Sequence, residues 1–300
     1  MNRKAFIIQS SGLLLSVWVS SSLPAFAGRK DKMDRIGMGT VLFRYRFKQT
    51  RPKEISTIKN KLTLAAVPAY YKERFNIRNL EFWSNHFESL ERPYLSMLKD
   101  RIKAAGSRLV NVQVDSSYDL AAVDETERQR SLAHVKEWLD AVAYIGSACV
   151  RVNPGRAGGS LEKSIASMKE INRYAKSKKL VLLTENHFGI EMNPDTHIRI
   201  VKEAGPDNIY TLPDFGNYPV KSMFASLEKI MPYAYLISAK VMKFNEQMQH
   251  TSYDFDKCVQ LAEQHGFKGI YSVEQWSPEF QEADYEKIGD WLIEHVKNNI

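Results

Sequence analysis

The chain has 300 residues, with 42 Lys and Arg residues against 35 Asp and Glu residues and a formal charge of +7. Basic and acidic residues are interleaved, and no basic block carries interleaved aromatic residues, so the composition argues against a nucleic-acid-binding protein. A chain of this length suits one large domain or two small ones. No linker or low-complexity tract divides it, and we therefore predict a single domain.

The first 27 residues have the layout of an export signal. Arg3 and Lys4 precede an apolar run that ends in the A-x-A cleavage pattern of residues 25–27. The apolar run is shorter than the roughly 20 residues that a membrane span needs. We expect a mature protein of residues 28–300 in the bacterial periplasm, with no membrane segment after cleavage. Because Lys4 stands where a twin-arginine signal has its second arginine, both the Sec and the twin-arginine route remain open.

From about residue 36, short β-rich runs alternate with longer amphipathic segments. The predicted strands are residues 35–43, 79–83, 108–115, 149–153, 180–185, 208–214, 235–241 and 269–274. Helical periodicity fills the segments between them, most clearly over 127–146, 160–179 and 254–267. Cys149 and Cys258 lie within these regular segments, which favours two buried thiols over a disulfide.

Strands that are apolar on both faces and alternate with helices indicate a parallel sheet. An open doubly wound sheet usually carries a glycine-rich phosphate loop after its first strand, and the segment GMGTVLF is no such loop. Eight strand–helix units in about 265 residues instead predict an α/β fold of one (β/α)8 TIM barrel.

The active site of such a barrel lies at the carboxyl ends of its strands. Seven of the predicted strands end in a polar or charged residue: Glu81, Asp115, Asn153, Glu185, Asp214, Lys240 and Glu274. Unpaired burial of the carboxylates on strands 5, 6 and 8 would cost several kcal/mol each. A divalent cation such as Mg, Mn or Zn would relieve this repulsion. Lys240 either offsets part of the negative charge or replaces a metal ligand.

Several motifs identify a family. The segments LLTENHFG, LPDFGNYP, ISAKVMKF and GIYSVEQW, with weaker support from NLEFWSNHF and WLDAVAYIGSACVRVNPG, resemble sugar phosphate isomerase/epimerase-like proteins of the xylose isomerase-like TIM barrel superfamily. The resemblance extends over the whole mature chain. It implies a divalent metal ion (Mn, Zn, Co or Mg) bound by Glu185, Asp214 and Glu274.

The fourth family ligand departs from the pattern. Many relatives have histidine on strand 7, whereas this chain has Ser238 or Lys240 there, depending on the register. Either three carboxylates and water hold the metal, with His187 or His250 nearby, or metal binding is weak or absent.

The resemblance also implies that Glu185 and Glu274 form the general acid/base pair and that Lys240 stabilises an enediolate or a departing oxygen. Residues predicted to contact the substrate flank the strand ends: Trp83, His86, Arg151, His187, Asn217 and Trp276. Phe215 and Arg156 have weaker claims. The expected partner is a small carbohydrate, and self-association is left open.

The leading prediction is an exported isomerase or epimerase of an unphosphorylated sugar or keto-sugar. A lyase or hydratase that acts on keto-glycosides could use the same acid/base pair. A metal-dependent phosphodiesterase or endonuclease would need two or three metals and many histidines, and the mature chain has seven. A non-catalytic carbohydrate-binding barrel is the fourth alternative.

Overall fold

The computed structural model describes residues 31–53, 55, 60–115, 117–277 and 284–300. The predicted export signal, residues 1–27, lies outside the described residues. Eight strands are present: β1 Ile36–Gly39, β2 Asn79–Trp83, β3 Arg108–Val114, β4 Cys149–Val152, β5 Val181–Glu185, β6 Ile209–Leu212, β7 Leu236–Val241 and β8 Ile270–Gln275.

One α-helix follows each of these strands along the chain. The helices are α1 Val67–Phe75, α2 Arg92–Ala104, α3 Glu125–Ile145, α4 Leu161–Ser177, α5 Pro194–Ala204, α6 Met223–Ile230, α7 Phe255–Gln264 and α8 Tyr285–Asn299. Side chains cap several of their first turns. The carboxylate of Asp124, for example, accepts a hydrogen bond from the backbone N–H of Glu127 at the start of α3. The same helix ends at Gly146, whose φ of 84° is the left-handed conformation that glycine adopts without strain.

The strands form one parallel sheet in the order β6-β5-β4-β3-β2-β1-β8-β7. Two isolated parallel bridges, Thr211 with Ala234 and Asp214 with Ser238, join β6 to β7 and close the barrel. The predicted TIM barrel is confirmed. All the carboxyl ends of the strands therefore point toward one mouth.

β1 and β6 differ most from their predicted lengths. β1 ends at Gly39, and the chain continues as a 3-10 helix, Thr40–Arg46. This turn is fixed by the hydroxyl of Thr40, which accepts a hydrogen bond from the backbone N–H of Trp83, and by Arg44, which donates to the carbonyl of Gln275. β6 ends before Pro213, which has no N–H to donate to a neighbouring strand.

The barrel interior is layered. Its lower part is apolar and contains one small cluster: Val110, Cys149, Leu183, Leu212, Tyr235, Leu236 and Ile270. Polar side chains occupy the part nearer the mouth. Both cysteines are buried and free, in agreement with the sequence prediction. Within the described ranges, every helix is too short or too polar to cross a membrane.

Candidate active site

A cavity of about 650 Å³ lies at the carboxyl ends of the strands. The wall includes residues from six strands, β2, β3, β4, β5, β7 and β8, and from the loops that follow them. The strand residues and their immediate neighbours are Trp83, Gln113, Val114, Asp115, Arg151, Asn153, Glu185, Lys240, Glu274 and Trp276. The cavity has the volume of a small-molecule binding site.

Arg151 connects three strands at one side of this cavity. Its Nε atom lies 2.9 Å from Oε2 of Glu185, and its Nη2 atom donates to Oδ2 of Asp115 over 3.0 Å. The Nη1 atom of Arg151 also contacts Asp115. Burial would raise the pKa of Asp115, but the guanidinium of Arg151 outweighs it and holds this pKa well below its usual range. The positive charge of Arg151 is therefore already neutralised by two carboxylates, Asp115 and Glu185.

Glu185 and Lys240 are joined through an amide. Asn217 donates from Nδ2 to Oε1 of Glu185 over 3.1 Å, and its Oδ1 accepts a hydrogen bond from Nζ of Lys240. The same ammonium lies 2.7 Å from Oδ2 of Asp214. Burial would lower the pKa of Lys240, but Asp214, Glu274 and Glu185 together raise it above its usual value. Lys240 is thus a permanently charged group at the cavity wall.

The side chain of Asn186, directly after β5, holds Asp214 in position through two hydrogen bonds. Asn186 accepts from the backbone N–H of Asp214 over 2.8 Å and donates to the carbonyl of Asp214 over 3.0 Å. Oδ1 of Asp214 accepts a hydrogen bond from the backbone N–H of Gly216. Burial raises the pKa of Asp214 to about 7 against the opposing effect of Lys240. Asp214 is fully buried behind Lys240 and does not line the cavity.

Glu81 and Glu274 form a second pair of carboxyl groups, which the side chain of Gln113 joins. Gln113 donates from Nε2 to Glu81 and, over 3.2 Å, to Oε2 of Glu274. Asn111 donates to the other oxygen of Glu81 over 3.0 Å. Burial and the nearby Glu274 raise the pKa of Glu81 to about 8. Burial also raises the pKa of Glu274, which Lys240 partly opposes.

The structure brings most of the predicted site residues together. Glu185, Glu274, Lys240, Trp83, Arg151, His187 and Trp276 line the cavity, and Asn217 contacts two of them. The rings of Trp83 and Trp276 meet edge to face, with centroids 6.1 Å apart. Burial lowers the pKa of His187 to about 4, so this imidazole is neutral at pH 7.

The structure does not place His86 at the cavity. It lies in a 3-10 helix, Ser84–His86, and its ring stacks on Phe47 with centroids 3.7 Å apart. Its two ring nitrogens lie 2.9 and 3.0 Å from the hydroxyls of Thr40 and Thr50. These contacts give His86 a packing role. The weaker candidates divide: Arg156 lines the cavity, whereas Phe215 is fully buried and packs against Phe255.

Sequence analysis did not single out Gln113 or Glu191. Gln113 precedes the predicted site residue Asp115 by two positions, so strand alternation places both on the inner face. That spacing could have identified it. Glu191 follows β5 in a short 3-10 helix, and its carboxylate accepts from the backbone N–H of Gly189 over 2.9 Å. Burial raises its pKa to about 7. No sequence pattern marks it.

The predicted metal ligands do not fit a divalent ion. Over the described ranges, no three His, Cys, Asp or Glu side chains are grouped so that they could hold a metal. Arg151 faces Oε2 of Glu185 and Lys240 faces Oδ2 of Asp214, so cationic side chains already contact these oxygens. His250, named as a nearby ligand, instead accepts a hydrogen bond at Nε2 from the backbone of Met242.

Comparisons with solved structures show related folds at low identity. A 3-keto-D-glucoside 4-epimerase from E. coli is 15% identical, with 86% of this chain and 98% of that chain covered and a TM-score of 0.61. A D-psicose 3-epimerase from Clostridium cellulolyticum, solved with D-tagatose, is 12% identical, with coverages of 88% and 96% and a TM-score of 0.61. A xylose isomerase-like TIM barrel protein from Mycobacterium smegmatis, solved in complex with magnesium, is 13% identical, with coverages of 88% and 97% and a TM-score of 0.60.

No match was found among curated protein sequences. A family model described as xylose isomerase-like TIM barrel matches residues 74–295, which is most of the chain. This match agrees with the parallel eight-stranded sheet and with the position of the cavity. The chain belongs to the xylose isomerase-like TIM barrel family.

Proposed function

We propose that the protein is an isomerase or epimerase that moves a proton at a carbon next to the carbonyl group of an unphosphorylated sugar or keto-sugar. The observation that carries the proposal is the position of Glu185 and Glu274 on β5 and β8, both facing one cavity, with the charged Lys240 interacting with each. The sugar isomerases and epimerases among the similar folds support the same class.

Proton transfer needs a base, an acid and a positive group near the developing oxyanion. In the proposed mechanism one of the two glutamates removes the proton, and the ammonium of Lys240 stabilises the enediolate oxygen. The other glutamate returns a proton to the opposite face or to the neighbouring carbon. Burial raises the pKa of both glutamates, which moves them toward the working range of a general acid.

Other cavity residues would position the sugar. Trp83 and Trp276 offer aromatic faces and edges for packing against its ring. His187, which is neutral at pH 7, can donate or accept one hydrogen bond with a hydroxyl. Arg151 acts on Glu185 and Asp115 rather than on an anionic substrate group, because both carboxylates already neutralise it.

Because the predicted Mn, Zn, Co or Mg ligands do not fit a metal, no step of this mechanism uses one. We further propose that residues 28–300 form the mature enzyme and that it acts in the periplasm after export. An exported enzyme seldom meets sugar phosphates, which favours an unphosphorylated substrate.

A keto-glycoside lyase or hydratase is the second candidate. A cavity of about 650 Å³ is larger than one sugar ring requires and leaves room for a second group. Removal of the proton next to the keto group would then be followed by departure of the β-oxygen substituent, which takes the electron pair of its C–O bond.

Deuterium exchange tests the proposal. Sugars, keto-sugars and keto-glycosides are incubated with the protein in D2O, and exchange next to the carbonyl is followed by NMR. We expect exchange with at least one substrate class and a fall of about 10²-fold or more in Glu185→Gln and in Glu274→Gln. The exposed Glu203→Gln on α5 is the matched control.

Two results would contradict the proposed enzymatic activity. Exchange that is as fast in Glu274→Gln and Glu185→Gln as in the wild type would remove these residues from the chemistry. Binding of a sugar without exchange in any tested substrate would favour the non-catalytic carbohydrate-binding barrel. A phosphodiesterase is disfavoured because His86 and His197 are both bonded to threonine hydroxyls, away from the cavity.

A further inference from the structure

Lys240 is held as a fixed group at the inner end of the cavity. Its side chain is 6% exposed, and its Nζ contacts Oδ2 of Asp214 at 2.7 Å and Oδ1 of Asn217. An ammonium group has three N–H donors. These two contacts use two of them, and because Lys240 lines the cavity, the third is available to a substrate oxygen.

The loop after β6 is shaped around this side chain. A Cβ atom at Gly216 would lie 2.9 Å from Cε of Lys240, which is closer than real Cβ contacts allow. Asp214 and Asn217, on either side of this glycine, supply the two acceptors. The hydroxyl of Tyr253 donates to the backbone carbonyl of Lys240 and fixes the main chain. Backbone and side chain of Lys240 are therefore both positioned.

β7 carries both residues that the sequence offered for the fourth ligand position. Lys240 pairs with Glu274 and Ser238 pairs with Ser272, so both residues lie on the same face of β7. Ser238 also forms the bridge to Asp214 that closes the barrel. The small, buried side chain of Ser238 occupies the β7 position nearest to Asp214, and the only cation that β7 contributes to the site is Lys240.

We propose that the Lys240 ammonium is the resident cation of this acid/base site and that the site works without a divalent metal ion. The catalytic role of Lys240 rests on the proposed function, whereas the absence of metal binding does not. The ammonium compensates Asp214 and Glu274, and its remaining donor stabilises the oxygen on which negative charge develops as the adjacent proton leaves.

Metal uptake by the wild-type protein is the decisive measurement. The purified protein is treated with EDTA, incubated separately with Mn²⁺, Zn²⁺, Co²⁺ and Mg²⁺, desalted, and analysed for elemental content. We expect well under one equivalent of every ion. A full equivalent that is retained by the wild type and lost in Asp214→Asn would overturn the inference, whether or not any sugar substrate is known.

Variants of β7 test whether the protein gains metal binding when Lys240 is removed and a histidine is added. Ser238→His combined with Lys240→Met removes the ammonium and adds an imidazole beside Asp214 and Glu274. We expect this double variant to retain Zn²⁺ or Mn²⁺ and to gain thermal stability when the ion is added. The single variant Ser238→His should gain less, because Lys240 still competes for Asp214. Equal ion uptake by the two variants would contradict the role of Lys240.

Activity provides a separate test. If exchange from the sugar is observed, it should persist after EDTA treatment and should fall by about 10²-fold or more in Lys240→Met, with the exposed Lys268→Met as control. Exchange that EDTA abolishes and Mn²⁺ restores would sink the metal-free mechanism while leaving the proposed function intact. Absence of exchange from every sugar would instead count against the proposed function, with the metal measurement unaffected.

Discussion

The Nε atom of Arg151 lies 2.9 Å from Oε2 of Glu185, and both side chains are at least 97% buried. The other end of the same guanidinium contacts Asp115. One cation thus joins the carboxyl ends of β3, β4 and β5. Without this cation, burial of Glu185 as an anion would be costly, and the partly buried Asp115 would lose its counter-ion.

Replacing Arg151 should therefore destabilise the fold strongly. In Arg151→Met the buried Glu185 and the partly buried Asp115 lose their counter-ion, and we expect a loss of about 3–5 kcal/mol in the free energy of unfolding, measured by urea denaturation. Arg151→Lys should lose less, because it keeps the charge but not the forked geometry. The exposed pair of Arg199 and Glu203 provides the control, and Arg199→Met should cost about 1 kcal/mol or less. Equal losses in the two Met variants would contradict this account.

Gly216→Ala should displace the side chain of Lys240 by direct contact. The new methyl group would lie 2.9 Å from Cε of Lys240, and the ammonium would have to leave Asp214 or Asn217. We expect a cost of about 1–3 kcal/mol in stability and a fall in kcat larger than the change in KM. In a Lys240→Ala background the same substitution should have much less effect on both quantities, which a double-mutant cycle measures. Additive effects would show that Gly216 acts elsewhere.

Gln113 should set the pH at which Glu274 becomes ionised. Its amide donates to Glu274 and lowers the pKa of that group, which burial raises. Gln113→Met removes this donor, so the acidic limb of the pH profile for kcat/KM should move to higher pH. The limb should not move in Asn85→Ala, which alters another cavity residue. A uniform loss of rate with an unchanged profile would indicate a purely structural role.

Two buried histidines should make the protein sensitive to acid. Burial lowers the pKa of His86 to about 3 and that of His197 to about 4, below the usual value of 6.5. The unfolded chain therefore binds more protons between pH 6.5 and these values, and stability falls as the pH falls through that range. Each unit of difference corresponds to about 1.4 kcal/mol.

Thermal unfolding followed at intervals from pH 7 to pH 4 tests the expectation for His197. Its Nε2 atom lies 2.6 Å from the Thr184 hydroxyl, a contact that His197→Gln can keep in part. This variant should lose less stability on acidification than the wild type. The exposed His265→Gln should follow the wild-type curve. An identical slope in all three proteins would contradict the prediction.

The alternation of apolar strand segments with amphipathic helical segments was sufficient to predict the barrel. It failed where a hydrogen bond between residues distant in sequence ends a strand early. The apolar run 41–43 continues β1 in the sequence, yet the Thr40 hydroxyl accepts a hydrogen bond from the backbone of Trp83, and the chain continues as a 3-10 helix. A contact across 43 residues leaves no local pattern in the sequence.

The site was predictable to the extent that strand ends converge. Glu185, Lys240 and Glu274 were placed at the cavity by that rule alone. What the rule cannot give is which charges pair. Lys240 contacts Asp214 and Arg151 contacts Glu185, so the expected metal ligands already have counter-ions. These pairings depend on side-chain reach between strands that are far apart in sequence.

Three consecutive residues at the end of β5 serve three separate purposes. Glu185 lines the cavity, and His187 forms another part of the cavity wall. Asn186 forms hydrogen bonds with the backbone N–H and the backbone carbonyl of Asp214. Asn186 needs one donor and one acceptor, so neither aspartate nor leucine can replace it. In a mutational scan, substitutions at Asn186 would therefore appear as lost protein yield, those at Glu185 as lost turnover, and those at His187 as altered substrate preference. One tripeptide would give three distinguishable phenotypes.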